Sequence, residues 1–593
     1  MNIFCIKFLQ KYICIVFILC FIQLMLFAQL DEDIIYDQDS FQKDAYYIEA
    51  WEDSPIYINQ FSAKELWETG VFSADEVQQI IISRSYKALN SEHDLAPLLY
   101  QKDKLNTLNK RLVFDLPMKS SVISENYLQT AKAKNNYYYQ RLIMQNKQIR
   151  MALLMEKDPQ DRQYPDLAKY SISYHVDKVM ESLYLGAFSV SSGNSLVLGR
   201  SFFLGNNTLS KLRGVSLKQD LSRSEYNYMT GVASKLSVAK MNFVPFVAIS
   251  PFNYKADSFG LIRTINKTGI HDDSFEIKSS IKTAGLVVEY QEKNYLLGLN
   301  LFYQDYQNKF SNSNIAQKPR TISQYSQFAL DNLLLRYEYA LSSNKSAYNI
   351  ESAYQKGKSS LQLGYRNYAQ YFPENYAGPY SMRADFRNEK GLYSRFNTSV
   401  QKMKFEIFID NYLYDEPENN KAFSKRGFNH RLKIIYPLLP YYKLSLAANQ
   451  RKGDVNYQNE MTMKSRKSFT VTNDIKEDKA LSQQYKLHFI NDKIYNEDRS
   501  KNSFVLSQKI RYNADKYTVS LSSSVFHANS HIMLQSRSLQ GFFSSHSLKD
   551  DGFLFVLDSN AMIAKNWQIM GSLSVVYAET DAYKAAVSLN FKY

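Results

Sequence analysis

From roughly residue 120 to residue 593, apolar and polar positions alternate with the period of two that marks β-strands. In NWQIMGSLSVVYA, 566–578, Trp567, Ile569, Leu573, Val575 and Tyr577 share one face, and Gln568, Ser572 and Ser574 share the other. KYTVSLSSSVF (516–526) and NYLLGLNLFY (294–303) read the same way. Each run is close to the ~10 residues with which a tilted strand crosses a bilayer. The runs are paired about tight polar turns: QNKQ (145–148), AKMN (239–242), QEKN (291–294), QKGK (355–358), QKMK (401–404), NAD (513–515) and AKN (564–566). Longer polar stretches, DEPENNKAFSKRGFNHR (415–431) and NQRKGDVNYQNEMTMKSRKS (449–468), read as loops between the pairs.

Short turns that alternate with long loops are the two ends of a barrel set in a membrane, an asymmetry a soluble sandwich does not need. The pattern predicts a mainly β fold, a large antiparallel transmembrane β-barrel of about 16–22 strands over 120–593. Upstream, the period changes. Residues 54–116 show helical spacing, with SAKE (62–65) and SADE (73–76) in capping-box form and Leu66, Trp67, Val77, Ile80, Ile81, Leu95, Leu98, Leu105, Leu108 and Leu112 facing inward. This predicts a small all-α domain of two helical hairpins. Residues 29–53 carry nine acids against Lys43 and read as a solvated, flexible acidic leader.

Residues 1–28 have Lys7 and Lys11 ahead of an apolar run from Ile13, with Leu26 and Ala28 before Gln29. That is the form of a secretory signal peptide. All three cysteines (Cys5, Cys14, Cys20) fall inside it, so the mature chain would have no thiol for a disulfide, nucleophile or metal. An exported chain with no second long apolar run is then periplasmic, secreted, or a barrel in the outer membrane. Composition agrees with the barrel: 46 Tyr and 36 Phe, few Gly and Pro, and a negative mean hydropathy.

Charge divides the chain. Residues 29–117 hold 17 acids and 8 bases, whereas the whole chain is +14, so the excess lies in the barrel. Such an excess either sits in loops against glycolipid phosphates or lines a lumen and favours anions. Loop placement is the ordinary expectation for KAFSKRGFNHRLK (421–433) and KSRK (464–467).

Three family resemblances follow. YKAAVSLNFKY (583–593) resembles the C-terminal strand signal of Gram-negative outer-membrane proteins, with Tyr583, Val587, Leu589, Phe591 and Tyr593 on the outward face. It implies partners in outer-membrane lipid and the barrel-insertion machinery. PIYINQFSAKELWETGVFSADEVQQIIISRSYKALNSEHDLAPLL resembles the tandem helix-hairpin-helix domain of competence-type (ComEA-like) DNA-uptake proteins through Ile58-Asn59, Glu65-Leu66, Ile80–Ile82, Arg84 and Asp94-Leu95. Its turns carry Val71-Phe72-Ser73 and Tyr100-Gln101-Lys102 where DNA-binding members have glycines. With eight acids against seven bases over 54–116, the segment also lacks a cationic excess for phosphate. The whole pattern resembles outer-membrane helix-hairpin-helix domain-containing proteins. The resemblance implies a periplasmic module that binds periplasmic or outer-membrane protein partners. The alternative is a DNA-uptake protein, for which Ser73, Arg84, Lys102 and Lys104 are the candidate backbone contacts.

No H-E-x-x-H, G-x-S-x-G or Walker pattern is present, and His527 and His531 would stand ~13 Å apart in a strand. The chain thus reads as non-enzymatic, without cofactor or metal: a channel or a component of an envelope transport or assembly complex. A barrel hydrolase is the remaining reading.

Overall fold

The computed structural model describes residues 120–592 apart from several connections, among them 158–164, 200–213, 266–276 and 415–425, together with scattered positions between 56 and 113. The expected signal peptide and acidic leader lie outside the described residues, as do Ser73, Arg84, Lys102, Lys104 and Tyr593.

Ile56–Tyr57 (β1) pairs in parallel with Leu112–Val113 (β2). Between them Ile58, Leu66, Val77, Ile80, Leu89, Leu95 and Leu99 are buried in one cluster. The apolar positions thus come together, but not as the expected domain. Among the described residues the complete helical elements here are one four-residue helix (α1, Glu92–Leu95) and one 3-10 turn (Ala96–Leu98). No tandem helix-hairpin-helix, and no all-α domain, is formed by them. Capping boxes mark where a helix starts, but the close helix pairing of that motif needs a glycine turn, and Val71, Phe72 and Ser73 stand in its place.

The ring begins with β3 (Ser120–Ala131), β4 (Lys134–Asn146), β5 (Ile149–Lys157), β6 (Leu167–His175), β7 (Met180–Ser191), β8 (Ser216–Gln219), β9 (Met229–Val238), β10 (Met241–Ala256) and β11 (Ile262–Ile265). β12 (Ile277–Gln291), β13 (Tyr295–Tyr306), β14 (Arg320–Leu330), β15 (Leu333–Ser342), β16 (Lys345–Lys356) and β17 (Ser359–Tyr368) follow. Next are β18 (Glu389–Val400), β19 (Met403–Leu413), β20 (Arg426–Leu439), β21 (Tyr442–Tyr457), β22 (Glu460–Lys476) and β23 (Leu481–Ile494). β24 (Ser500–Asn513), β25 (Tyr517–Leu539), β26 (Phe542–Ala564), β27 (Trp567–Tyr577) and β28 (Ala582–Lys592) complete it. Each strand is antiparallel to the next, and β28 returns to β3 through pairs such as Val587–Leu128, Leu589–Asn126 and Phe591–Ser124. β8 and β11 are short side strands, because β7 also pairs directly with β9 and β10 with β12. Without them twenty-four strands make the wall, more than the 16–22 expected.

Two of the uncounted connections explain that shortfall. Asp331-Asn332 and Ser343-Asn344 are exposed two-residue turns, with φ of 45° at Asp331, 45° at Ser343 and 66° at Asn344. Short polar side chains tolerate that left-handed backbone, which suits the twist of a tight hairpin. The stretch 449–468 is also corrected: β21 and β22 run through most of it, so it is not one long loop.

Alternation sorts the two faces of the wall. On β13, Leu297, Leu299 and Leu301 are exposed, whereas Leu296, Asn300 and Gln304 are buried. The outward face repeats this with Val247, Ile249, Ile322, Leu363, Leu392, Leu506 and Val525. At the short-turn end aromatic rings cluster, with Tyr290–Tyr295 centroids 5.9 Å apart, Tyr295–Phe328 6.4 Å and Tyr512–Tyr517 5.9 Å. There Lys240 and Tyr290 both donate to Glu292, and the Lys240 ammonium holds that carboxyl below its usual range. At the opposite end the 23-residue β25 and β26 rise well above their neighbours.

The β28–β3 seam is open to a direct test. With Gln129→Cys and Ala586→Cys, which occupy directly paired positions, oxidation is expected to join the two strands covalently, since a disulfide forms at Cα separations of about 4.4–6.8 Å. A chain that never cross-links at this pair would show that the ring is not joined there.

Candidate functional site

The inner face of β7–β17 is covered by two connections that fold onto it. Segment 192–199, which leaves β7, places Leu196, Val197 and Leu198 among Phe188, Val244, Phe246, Val287, Phe302 and Tyr376. Burying three such side chains contributes about 1.5–3 kcal/mol each. Its backbone is held by a wall carboxylate. Glu338, facing inward from β15, accepts the N–H of Asn194 at 2.6 Å and of Leu196 at 3.2 Å, and the Ser323 hydroxyl at 2.8 Å. Glu289 on β12 acts likewise, accepting the Val215 N–H at 2.8 Å and the Tyr325 hydroxyl at 3.0 Å. A buried carboxylate that accepts several N–H and O–H bonds is satisfied without a cation.

The second connection, between β17 and β18, is tied to the first. Gly199 N–H donates to the Tyr376 carbonyl at 2.9 Å, and Gly378 N–H to that of Ser195 at 3.1 Å. Tyr376 reaches the wall through its hydroxyl, which donates to Ser250 at 2.6 Å, and Asn375 donates to Tyr306. Its far side is anchored on a buried ionic group. Arg366 on β17 donates from Nε to Glu389 and from both Nη atoms to Asp410 at 3.0 and 3.1 Å. All three side chains are fully buried. Tyr380 donates to Asp410, its ring lies 4.9 Å from the guanidinium, and the Met382 N–H donates to Glu389. Gly391 makes room for this arrangement: a Cβ there would lie 2.4 Å from Arg366 Cζ.

From β18 to β24 the inner face differs. Register places Arg395, Arg431, Lys433, Arg451, Arg466 and Lys486 on it, partly exposed. Lys464 and Arg466 belong to KSRK, and Arg431 and Lys433 to 421–433, so these bases line the wall rather than a loop as expected. The acids that share this face are engaged. Asp492 accepts from Arg466 at 2.8 Å and pairs with Lys464 at 3.1 Å, and Glu406 pairs with Arg431.

No protein-family model matches the chain, and no curated protein matches it in sequence. Solved structures do. The chain is similar to the copper transporter OprC at 7% identity, over 81% of this chain and 82% of that one, with a TM-score of 0.40. It is similar to a mutant of the ferric enterobactin receptor PfeA of Pseudomonas aeruginosa at 8% identity, over 81% of each, with a TM-score of 0.41. The translocation pore of the P pilus usher PapC gives 7% identity, 80% of this chain, 99% of that one and a TM-score of 0.35. The expected kinship with helix-hairpin-helix, ComEA-like proteins is not upheld, since no family model matches and the described residues contain no helical domain. The DNA-uptake reading loses its ground with it.

Of the residues singled out from sequence, Tyr583, Val587, Leu589 and Phe591 lie on β28, in register with Val575, Gly571, Ile569 and Trp567. The four candidate DNA contacts are outside the described residues. His527 and His531 both lie on β25, where His527 contacts Asp551 and Asn529. Among the described residues no three His, Cys, Asp or Glu side chains are grouped to hold a metal ion. Glu338, Glu289 and the Arg366 group escaped notice from sequence. The available signal was a charge in the middle of an apolar strand, as in LRYEYAL and LGYRNY.

Two outcomes follow from the anchors. Glu338→Ala leaves the Asn194 and Leu196 amides buried without their acceptor, at about 1–3 kcal/mol for each group. Labelling of Ser195→Cys should therefore quicken in that background while the barrel keeps its folded gel mobility. Arg366→Met strands two buried carboxylates and is expected to cost about 3–5 kcal/mol in chemical unfolding, a loss far larger than any outward-face lysine substitution would give.

Proposed function

We propose that this protein is a non-enzymatic outer-membrane β-barrel that passes solutes, with segments 192–199 and 375–382 as the restriction inside it. The observation that carries this reading is the ring of antiparallel strands with apolar residues outside and polar ones inside. Only a closed sheet or a helix satisfies its backbone in hydrocarbon, and the outward Leu, Ile and Val side chains are what a bilayer solvates. The short turns would face the periplasm and the longer connections the outside, so the tall β25–β26 hairpin would project from the cell surface. In this setting the strand 582–592 and Tyr593 would present the insertion signal to the assembly machinery. Residues 54–116 would meet periplasmic or membrane protein partners.

The inserted segments are held by side-chain acceptors rather than by sheet pairing, so they can be released without opening the wall. In planar bilayers, Glu338→Ala is expected to give larger or longer conducting events than the native chain. Native protein should fractionate with the outer membrane and run faster unboiled than boiled. A product recovered in soluble periplasm would rule this function out.

A further inference from the structure

We propose that the inner face of β18–β24 is an oxyanion lane, selective for solutes bearing phosphate or carboxylate groups. The inference deepens the transport reading and rests on it. Inner residues of β12–β17 are sealed beneath the inserted segments: Glu289, Asn300, Tyr325, Glu338 and Arg366 have no exposed surface. Across the barrel, Arg395, Arg431, Lys433, Arg451, Arg466 and Lys486 retain exposure to the interior. A solute that enters this barrel therefore meets the basic wall rather than the acidic one.

The arrangement is only partly neutralised by its own strands. Inward acids near the bases already serve as partners, Glu406 to Arg431, Asp492 to Lys464 and Arg466, and Asp410 and Glu389 to Arg366. Among the described residues Lys433 and Lys486 have no carboxylate within ion-pair distance. Arg451 stands directly opposite Arg466 in the β21–β22 register. Guanidinium groups bind planar oxyanions through two parallel N–H donors, and rings of Arg and Lys select anions in pores.

The test uses the full chain in planar bilayers under a KCl gradient, with the Glu338→Ala form beside it. Expected is an anion-selective reversal potential, with block by added pyrophosphate or citrate, the two arms that separate phosphate from carboxylate recognition. Lys433→Glu with Lys486→Glu should reverse the sign of the potential and abolish block, whereas Lys255→Glu, the same kind of substitution on the outward face, should do neither. Folded gel mobility of each variant confirms the barrel. Conductance without anion preference, or a double variant that stays anion-selective, overturns the lane and leaves the channel standing. If no form conducts, equilibrium binding of pyrophosphate to the detergent-solubilised protein decides: binding lost in the double variant keeps the oxyanion site and removes the channel, and no binding removes both.

Discussion

The structure depends on one constraint, that each backbone N–H and C=O of the wall finds its partner within the sheet. An open edge would expose a full row of polar groups, and in hydrocarbon each would cost several kcal/mol. Pairing of β28 with β3 removes that edge, and because every neighbour is antiparallel the ring needs an even number of strands. Everything the outward face can be, a near-continuous surface of Leu, Val, Ile and Tyr, follows from a backbone that is already satisfied.

A large ring leaves an interior that strand side chains cannot fill. Here part of it is occupied by connections whose backbones are caught by carboxylates of the wall. Glu338 and Glu289 take the place that a neighbouring strand would have in a sheet, offering acceptors to amides of 192–199 and 214–215. The second connection is fastened by charge, through Arg366 and its two acids. A buried ionic group of this kind adds little net stability over an apolar substitute but is costly to break, which suits a latch better than a core.

The interior is therefore two-sided. One wall is sealed and acid-anchored, the other is basic and reachable. Neither property belongs to a single strand. It arises because the register of the sheet sets inward positions of separate strands, such as Arg451 and Arg466, opposite one another and brings the other inward bases onto the same face.

The sequence by itself determined the strand-to-strand pattern. Period-two runs and turns such as QEKN, QKGK and QKMK place hairpins where β12–β13, β16–β17 and β18–β19 meet, because side-chain alternation and turn chemistry act over a few neighbouring residues. It misled where local signals do not specify long-range pairing. Capping boxes at 62–65 and 73–76 suggested paired helical hairpins that the described residues do not form, and the turns at 331–332 and 343–344 passed unseen. Only the tertiary structure decided which face of each strand looks inward, that KSRK lies on the wall, and that Glu338 reaches a backbone 142 residues away. Those facts depend on ring closure and register, which couple residues distant in the chain and leave no periodic trace along it.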